Sequence, residues 1–205
     1  MLLAANGIAD LLEREPATDN DPFVISPTPD VRKLRESGGA SVDLRLGTWF
    51  IAMKARKISL LDIYDGDGES ASDPARFTSK YYVPFGEKFI LHPRAFVLAC
   101  TLEWLRLPLG AAGIVAGKSS WGRRGLIIET APGIHPGFTG CLTLEITNLG
   151  DIPIAIEPGT SVCQLFLHKL DTPVADTPPS RFLGQRQPHL SAITPDDFAR
   201  KLAGR

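Results

Sequence analysis

The chain has no CxxC pair, no excess of charge of either sign and no long apolar run, and each absence removes a class of protein. Its 205 residues hold three cysteines, Cys100, Cys141 and Cys163, each within an apolar stretch. An odd count without framework spacing argues for reduced, buried thiols rather than a disulfide scaffold. The formal net charge of −1 leaves no global basic field to attract nucleic acid, so an anionic small ligand would need a local cluster of cations. No run approaches the about 18 apolar residues that span a bilayer, so no membrane partner is expected. The opening MLLAANGIADLLERE carries an acid by Asp10 and no basic start, a poor signal peptide. These features together predict a cytoplasmic protein. The 43% apolar and 22% charged residues are those of an ordinary globular domain large enough to bury a core.

What is present reads as one domain over residues 1–205, mainly all-β. Residues 2–15 show helical spacing in Leu3, Ile8, Leu11 and Leu12, and Pro16 ends it, predicting a short N-terminal helix. Residues 17–40 are rich in Pro, Asp and Gly and read as loop. From Ala40 onward, SVDLRLGTWFIAM, EKFILHP, AFVLACTLEWL, GIVAG, GLIIET, CLTLEIT, IPIAI and VCQLFLHKL follow one another as short, often β-branched runs. Turn signals such as His92-Pro93, Pro136-Gly137 and Pro158-Gly159 separate them, a pattern of sandwiches and barrels. Residues 62–80 are polar and turn-rich and read as a surface insertion. Residues 171–205 form a Pro-rich C-terminal tail that either hangs free or folds over something, with a short helix predicted near 195–202.

The densest polar cluster is Gly117-Lys118-Ser119-Ser120-Trp121-Gly122-Arg123-Arg124-Gly125. Fixed positive charge, hydroxyl donors and glycine backbone within one short segment are the parts that grip phosphate oxygens. A P-loop is excluded by Ala112, which stands where its first glycine belongs, and Gly122 and Gly125 argue against a following helix. The plainer alternative is a solvated basic turn between two strands.

The second feature is Cys141-Leu142-Thr143-Leu144-Glu145-Ile146-Thr147. Side chains of a strand alternate between faces, so Leu142, Leu144 and Ile146 belong to the core, and Thr143, Glu145 and Thr147 to the other face. If another subunit or the tail covers that second face, desolvation raises the glutamate toward a proton-shuttling range. If nothing covers it, Glu145 is an ordinary strand glutamate facing water. A metal centre is not expected: the four histidines lie far apart, and neither H-x-E nor P-C-x-x-C, the signature of zinc nucleobase deaminases, occurs. No G-x-S-x-G elbow is present either.

Taken together, these stretches resemble the dCTP deaminase branch of the dUTPase-like superfamily. Ala40 to Gly47 resembles its early strand, and Gly117 to Gly125 its G-[RK]-S-S-x-x-R-x-G phosphate motif. Thr130 to Glu145 resembles its T-A-x-x-I-D-P-G-[FW]-x-G-x-[IL]-x-L-E segment, and Pro158 to Leu165 its late P-G-x-x-I-x-Q-L strand. The match runs in order over roughly residues 40–190.

The resemblance implies a distorted dUTPase-like β-barrel with a Pro-rich C-terminal lid, a homotrimer with active sites at subunit interfaces, and hydrolysis of dCTP to dUTP and ammonia. No catalytic cofactor is implied; Mg2+ would arrive with the substrate triphosphate. Carried over by position, Glu145 is the general acid/base, and Ser119 and Arg123 hold the attacking water and the base. Lys118 and Ser120 meet phosphate oxygens, within a binding segment that includes Trp121 and Gly122. Thr143 and Leu144 offer backbone contacts to the base, and Gln164 and Gln185 bind the triphosphate, the latter from the closing tail. In that tail Arg181 and Phe182 stand where the family has a Lys-Tyr pair. His135 stands where it has an aspartate that, in dUTPase relatives, lies near the sugar 3′-hydroxyl and helps activate water. His135 is then either a sugar contact or a turn residue. Beside dCTP deamination, two readings stay open: a dUTPase or bifunctional enzyme, and a non-catalytic nucleotide-binding protein on the same scaffold.

Overall fold

A computed structural model describes residues 1–14, 20–54, 77–129, 133–175, 182–190 and 201–202. The apolar runs become strands because their turn residues close them. Among the described residues these strands are β1 (Val24–Ser26), β2 (Val42–Arg45), β3 (Trp49–Met53), β4 (Thr78–Tyr82), β5 (Phe89–Leu91), β6 (Phe96–Arg106), β7 (Ala111–Gly117), β8 (Leu126–Glu129), β9 (Gly133–Ile134), β10 (Thr139–Asn148), β11 (Ile154–Ile156) and β12 (Ser161–Lys169). One sheet runs β4-β3-β6-β10-β8 with β1 also on β6, a second runs β2-β12-β7-β9, and β11 pairs with β5. The predicted mainly-β class holds. The strands lie in three sheets and do not close into a continuous barrel among the described residues.

Alternation places the core. Leu144 and Ile146 of β10, Val97 and Ala99 of β6 and Phe50 of β3 are buried on one face of the first sheet. Val42 and Leu44 of β2 and Cys163, Leu165 and Leu167 of β12 are buried on the second, and all join one apolar cluster. The predicted N-terminal helix is α1 (Ala5–Leu12), shorter than its apolar spacing suggested. Its lead-in is extended, because Leu2 bridges to His168 and the Leu3 amide donates to the Leu167 carbonyl.

Three expectations need correction. Residues 17–40 are not all loop: they contain β1 and a helix, α2 (Val31–Glu36). Phe23 and Ile25 are buried, and the Asp30 side chain accepts from the Arg32 and Lys33 amides, so an N-cap and two core anchors override the turn-rich composition. The proposed insertion 62–80 ends in strand, since β4 begins at Thr78; its stretch 62–76 lies outside the described residues. The basic segment contains one helical turn, α3 (Ser119–Gly122), despite its glycines. The Lys118 carbonyl accepts from the Trp121 and Gly122 amides, and Gly125, at φ +87°, turns the chain out into β8. A Cβ at Gly125 would meet the Gly150 nitrogen at 2.8 Å, so the turn itself requires glycine. Most of the predicted helix near 195–202 also lies outside the described residues.

Candidate active site

The register of the first sheet decides what surrounds Glu145. Glu145 pairs with Leu98, Leu98 with Ile51, and Ile51 with Lys80; Thr143 pairs with Cys100 and Trp49 with Tyr82. Residues paired across antiparallel strands share a face. Thr143, Glu145, Leu98, Cys100, Ile51, Trp49 and Lys80 therefore lie on the face opposite the core. Leu98 and Cys100 are nonetheless buried, and Glu145 and Thr143 are partly buried, so this second face is covered.

The cover is the chain's own tail. The Gly184 amide donates to the Thr139 carbonyl and the Cys141 amide to the Gln185 carbonyl, which fastens the tail along the start of β10. The Gln185 side-chain amide donates to the Cys141 carbonyl at 2.9 Å and to Thr143 Oγ1 at 3.1 Å. The Arg186 carbonyl faces Cys100 Sγ, and Gln187 Oε1 accepts from Lys80 Nζ, which also sits over the Trp49 ring. Residues 184–187 thus cross from β10 to β4 over the face that carries Glu145. A cavity of about 540 Å³ opens beside this strap, lined in part by Trp49, Cys100, Thr101, Trp104, Cys141 and Arg186.

Gly140 makes the strap possible. At φ +139° it brings its backbone against Gln185, and a Cβ there would meet the Gln185 carbonyl oxygen at 3.0 Å and its nitrogen at 3.1 Å. Gly140→Ala is expected to undock the tail while leaving the sheet paired. Faster hydrogen exchange at the Cys141 amide and faster proteolysis of the tail would show this; unchanged rates would contradict it.

Opposite Leu142 of β10, β6 carries a bulge. The register against β6 slips between Cys141 and Thr143, and the Leu142 amide donates to the buried Thr101 hydroxyl at 2.9 Å. Such a bulge bends its own strand, here β6 between Cys100 and Trp104. Leu144 is fully buried on the core side, so only its backbone is available to a ligand.

The cationic residues gather on the other sheet. Lys118 Nζ donates to Asp43 Oδ2 at 2.5 Å and to Ser161 Oγ at 3.2 Å, and Gln164 Nε2 donates to Asp43 Oδ1 at 3.2 Å. Burial alone would raise the Asp43 carboxyl. The hydrogen bonds from Lys118, Gln164 and Ser161, with the charge of Lys118, outweigh it and hold the group below its ordinary value. Trp121 is half-buried and donates from Nε1 to the Ser161 carbonyl at 3.0 Å, which pins α3 to the start of β12. Ser119, Ser120 and Arg123 are exposed on α3 and just after it, and Gly122 ends the turn.

The structure therefore sorts the predicted residues into two groups. Lys118 and Gln164 meet at Asp43, with Ser119, Ser120 and Arg123 beside them on α3. Gln185 of the tail meets Thr143, which shares a face of β10 with Glu145. The chain leaving α3 joins β8 at the Leu126–Asn148 end, while Gly117, just before Lys118, lies against Ile128, whose partner on β10 is Ile146. Gln185 thus lies against the Glu145 strand in its own chain. His135 is exposed; its carbonyl accepts from the Phe138 amide across Pro136 and Gly137 (φ +73°), so its backbone opens a turn. Arg181 lies outside the described residues.

Sequence reading missed Asp43, Trp49, Lys80 and Cys100 as neighbours of these groups. Of these only Asp43 carried a signal, as the acid within the early-strand motif. Burial pushes the Cys100 and Cys163 thiols up to about 12 and raises Cys141 as well, so all three are inert thiols, as expected of free cysteines in apolar strands. Among the described residues, no group of three or more His, Cys, Asp or Glu is placed to hold a metal ion, and no helix is long and apolar enough to cross a membrane.

Comparison with known proteins fits this geometry. A family model described as dCTP deaminase-like matches residues 8–170. The chain is 37% identical over 181 residues to a protein of Methanobrevibacter smithii named "dCTP deaminase, dUMP-forming", covering 85% of this chain and 89% of the relative. It is 38% identical over 166 residues to a Halorubrum lacusprofundi protein named "dCTP deaminase", covering 80% and 77%. The fold is similar to a crystal structure of 2'-deoxycytidine 5'-triphosphate deaminase from Agrobacterium tumefaciens at TM-score 0.56 and 22% identity, over 81% of this chain and 46% of that one. The chain thus spans less than half of the Agrobacterium chain but most of both named relatives. On the family match and these identities, the chain belongs to the dCTP deaminase-like family.

Proposed function

We propose that this chain hydrolyses dCTP at C4 of the cytosine, releasing ammonia, with Glu145 as the proton carrier. The observation that carries the reading is a carboxylate in mid-strand beside Thr143, on a sheet face roofed by the chain's own tail. Glu145 takes a proton from the attacking water as the C4–O bond forms. It delivers that proton to the ring nitrogen, then takes the remaining proton of the new C4 hydroxyl and passes it to the departing amine as the C4–N bond breaks and the C4 carbonyl forms. One carboxylate serves each transfer in turn, and the reaction needs no redox partner. The tail excludes water from the intermediate. Magnesium enters with the substrate, on the triphosphate.

Ser119 and Arg123 act on the water and base, and Lys118, Ser120 and Gln164 on the phosphates, Trp121 and Gly122 shaping that segment. As the family resemblance implies, each complete site is expected between subunits of a homotrimer. Sedimentation at micromolar concentration is expected to give three copies, and a monomer that turns over would contradict it.

The relatives' names bear on the end product. The Methanobrevibacter protein and one of Methanosphaera stadtmanae, 35% identical, are both named dUMP-forming. They shift the reading from dUTP, the first expectation, to dUMP, reached when a second water attacks the α-phosphorus and pyrophosphate leaves. His135 is exposed at the turn before β10, and its imidazole is the base available for that water where the family has an aspartate. Chromatography of the products from dCTP tests this. Accumulation of dUMP and pyrophosphate supports the bifunctional reading; accumulation of dUTP returns the end product to the simpler one. Unchanged dCTP would leave only nucleotide binding.

A further inference from the structure

Three donors on the second sheet converge on an anion that belongs to the protein. Lys118 Nζ and Gln164 Nε2 take one oxygen each of the Asp43 carboxylate, and the Ser161 hydroxyl hydrogen-bonds to it as well. The bulge in β12 between Ser161 and Cys163 builds the arrangement. It sets Ser161 opposite Arg45 and Gln164 opposite Asp43, so both donors rise on the face of β2 that carries Asp43. Lys118 arrives from the end of β7, its amide tied to the Val162 carbonyl. A lysine, a hydroxyl and a carboxamide around one carboxylate are also the donor set that suits a phosphate group.

We propose that Asp43 is an internal stand-in for the ligand's phosphate: Lys118, Ser161 and Gln164 form an oxyanion cradle that Asp43 occupies in the free chain, and a polyphosphate takes the cradle by displacing it. The proposal rests on the reading that Lys118 and Gln164 meet the phosphates; it adds Ser161 to that set and gives Asp43 a role. Lys118 is one-quarter exposed and Asp43 about half exposed (25% and 47%), so the carboxylate is the partner free to leave. It has somewhere to go. Asp43 lines a cavity of about 300 Å³ together with Arg45, two residues along the same strand face, whose side chain is 40% exposed. The exchange swaps one anion for another on the same donors. It keeps Lys118 neutralised and aimed while the site is empty, at a fixed cost to every anion that enters.

The test uses the full-length chain and two inorganic probes, tripolyphosphate and orthophosphate, which no deamination consumes. In Asp43→Asn the carboxamide no longer competes as an anion. Calorimetry is expected to show both probes binding three- to tenfold more tightly than in the wild type, by the same factor for each, as removal of a constant competitor requires. With dCTP, KM falls by a similar factor. Asp43→Ser, which also frees the cradle, gives the same direction and guards against an effect peculiar to asparagine. Unchanged or weaker binding of both probes in folded variants would overturn the proposal, because Asp43 would then be a support and not a competitor. Tightened probe binding in a protein that fails to deaminate dCTP would sink the deaminase reading and leave the cradle standing.

Discussion

Glu145→Gln will bind dCTP and fail to deaminate it. The substitution keeps the length and hydrogen-bonding shape of the side chain but removes its capacity to carry a proton. General acid–base groups contribute roughly a hundred- to ten-thousand-fold, and here one group serves every transfer, so the loss belongs at the upper end of that range. Structure should survive. Glu145 is only partly buried, and the core side of β10 is held by Leu144 and Ile146, which the change does not touch. Rates of ammonia release and calorimetric binding measure the two halves separately. A variant within tenfold of the wild-type rate would remove Glu145 from the mechanism. A variant that also loses nucleotide binding would make its role positional.

The second large effect is on stability. Among the described residues Glu103 is a buried carboxylate, with its side chain 3% exposed. It accepts from Arg45 Nε at 2.6 Å and from the Arg45 backbone amide at 2.8 Å, which clamps β2 to β6. Arg45→Met removes the guanidinium and leaves a carboxylate, itself 3% exposed, with one backbone donor. Breaking one side of a buried pair costs about 3 kcal/mol or more. In a chain of this size that lowers Tm by roughly 6–12 °C. Replacing both partners, Arg45→Met with Glu103→Leu, should recover most of the loss, since no charge is then left uncompensated. Thermal unfolding of the two variants checks this. A single variant melting with the wild type, or a double variant no better than the single, would show that the pair does not clamp the sheets.

These two carboxylates also mark how far the sequence could be read. Glu145 was visible because strand alternation is local: Leu142, Leu144 and Ile146 announce the core face, and the glutamate falls on the other by parity. Whether that face was covered was not visible, because the strap is formed by residues 184–187, some 40 positions away, and depends on Gly140 and Gln185 meeting. Glu103 looked like one polar residue inside an apolar run. Its partner is 58 residues away and is set by the bulged register of the sheets. Asp43 and Lys118 are 75 residues apart and meet for the same reason. Helix α2 was missed because composition outweighed a single local signal, the Asp30 cap. Helix α3 was missed because two glycines were read as breakers, where one ends the turn and the other re-aims the chain. Runs, turns and alternation were thus legible; pairings between distant strands were not, and those pairings build the site.

The division of the site into two groups has a consequence for its chemistry. On the proposed reading, neighbouring copies bring the cradle on the second sheet and the carboxylate on the first to one nucleotide. The tail then has two tasks, covering the Glu145 face and responding to the nucleotide that arrives there. Gln185 Oε1 is buried without a hydrogen-bond partner, a cost of about 1–3 kcal/mol that favours release of this contact when a ligand offers a better one.

A crystal structure of Glu145→Gln with dCTP and magnesium tests all of this at once. The account predicts the cytosine 4-amino group about 3 Å from the residue-145 side chain. It also predicts the triphosphate on Lys118, Ser161 and Gln164 with Asp43 turned away, and the tail closed over the base. A nucleotide bound with its cytosine remote from residue 145 would contradict it.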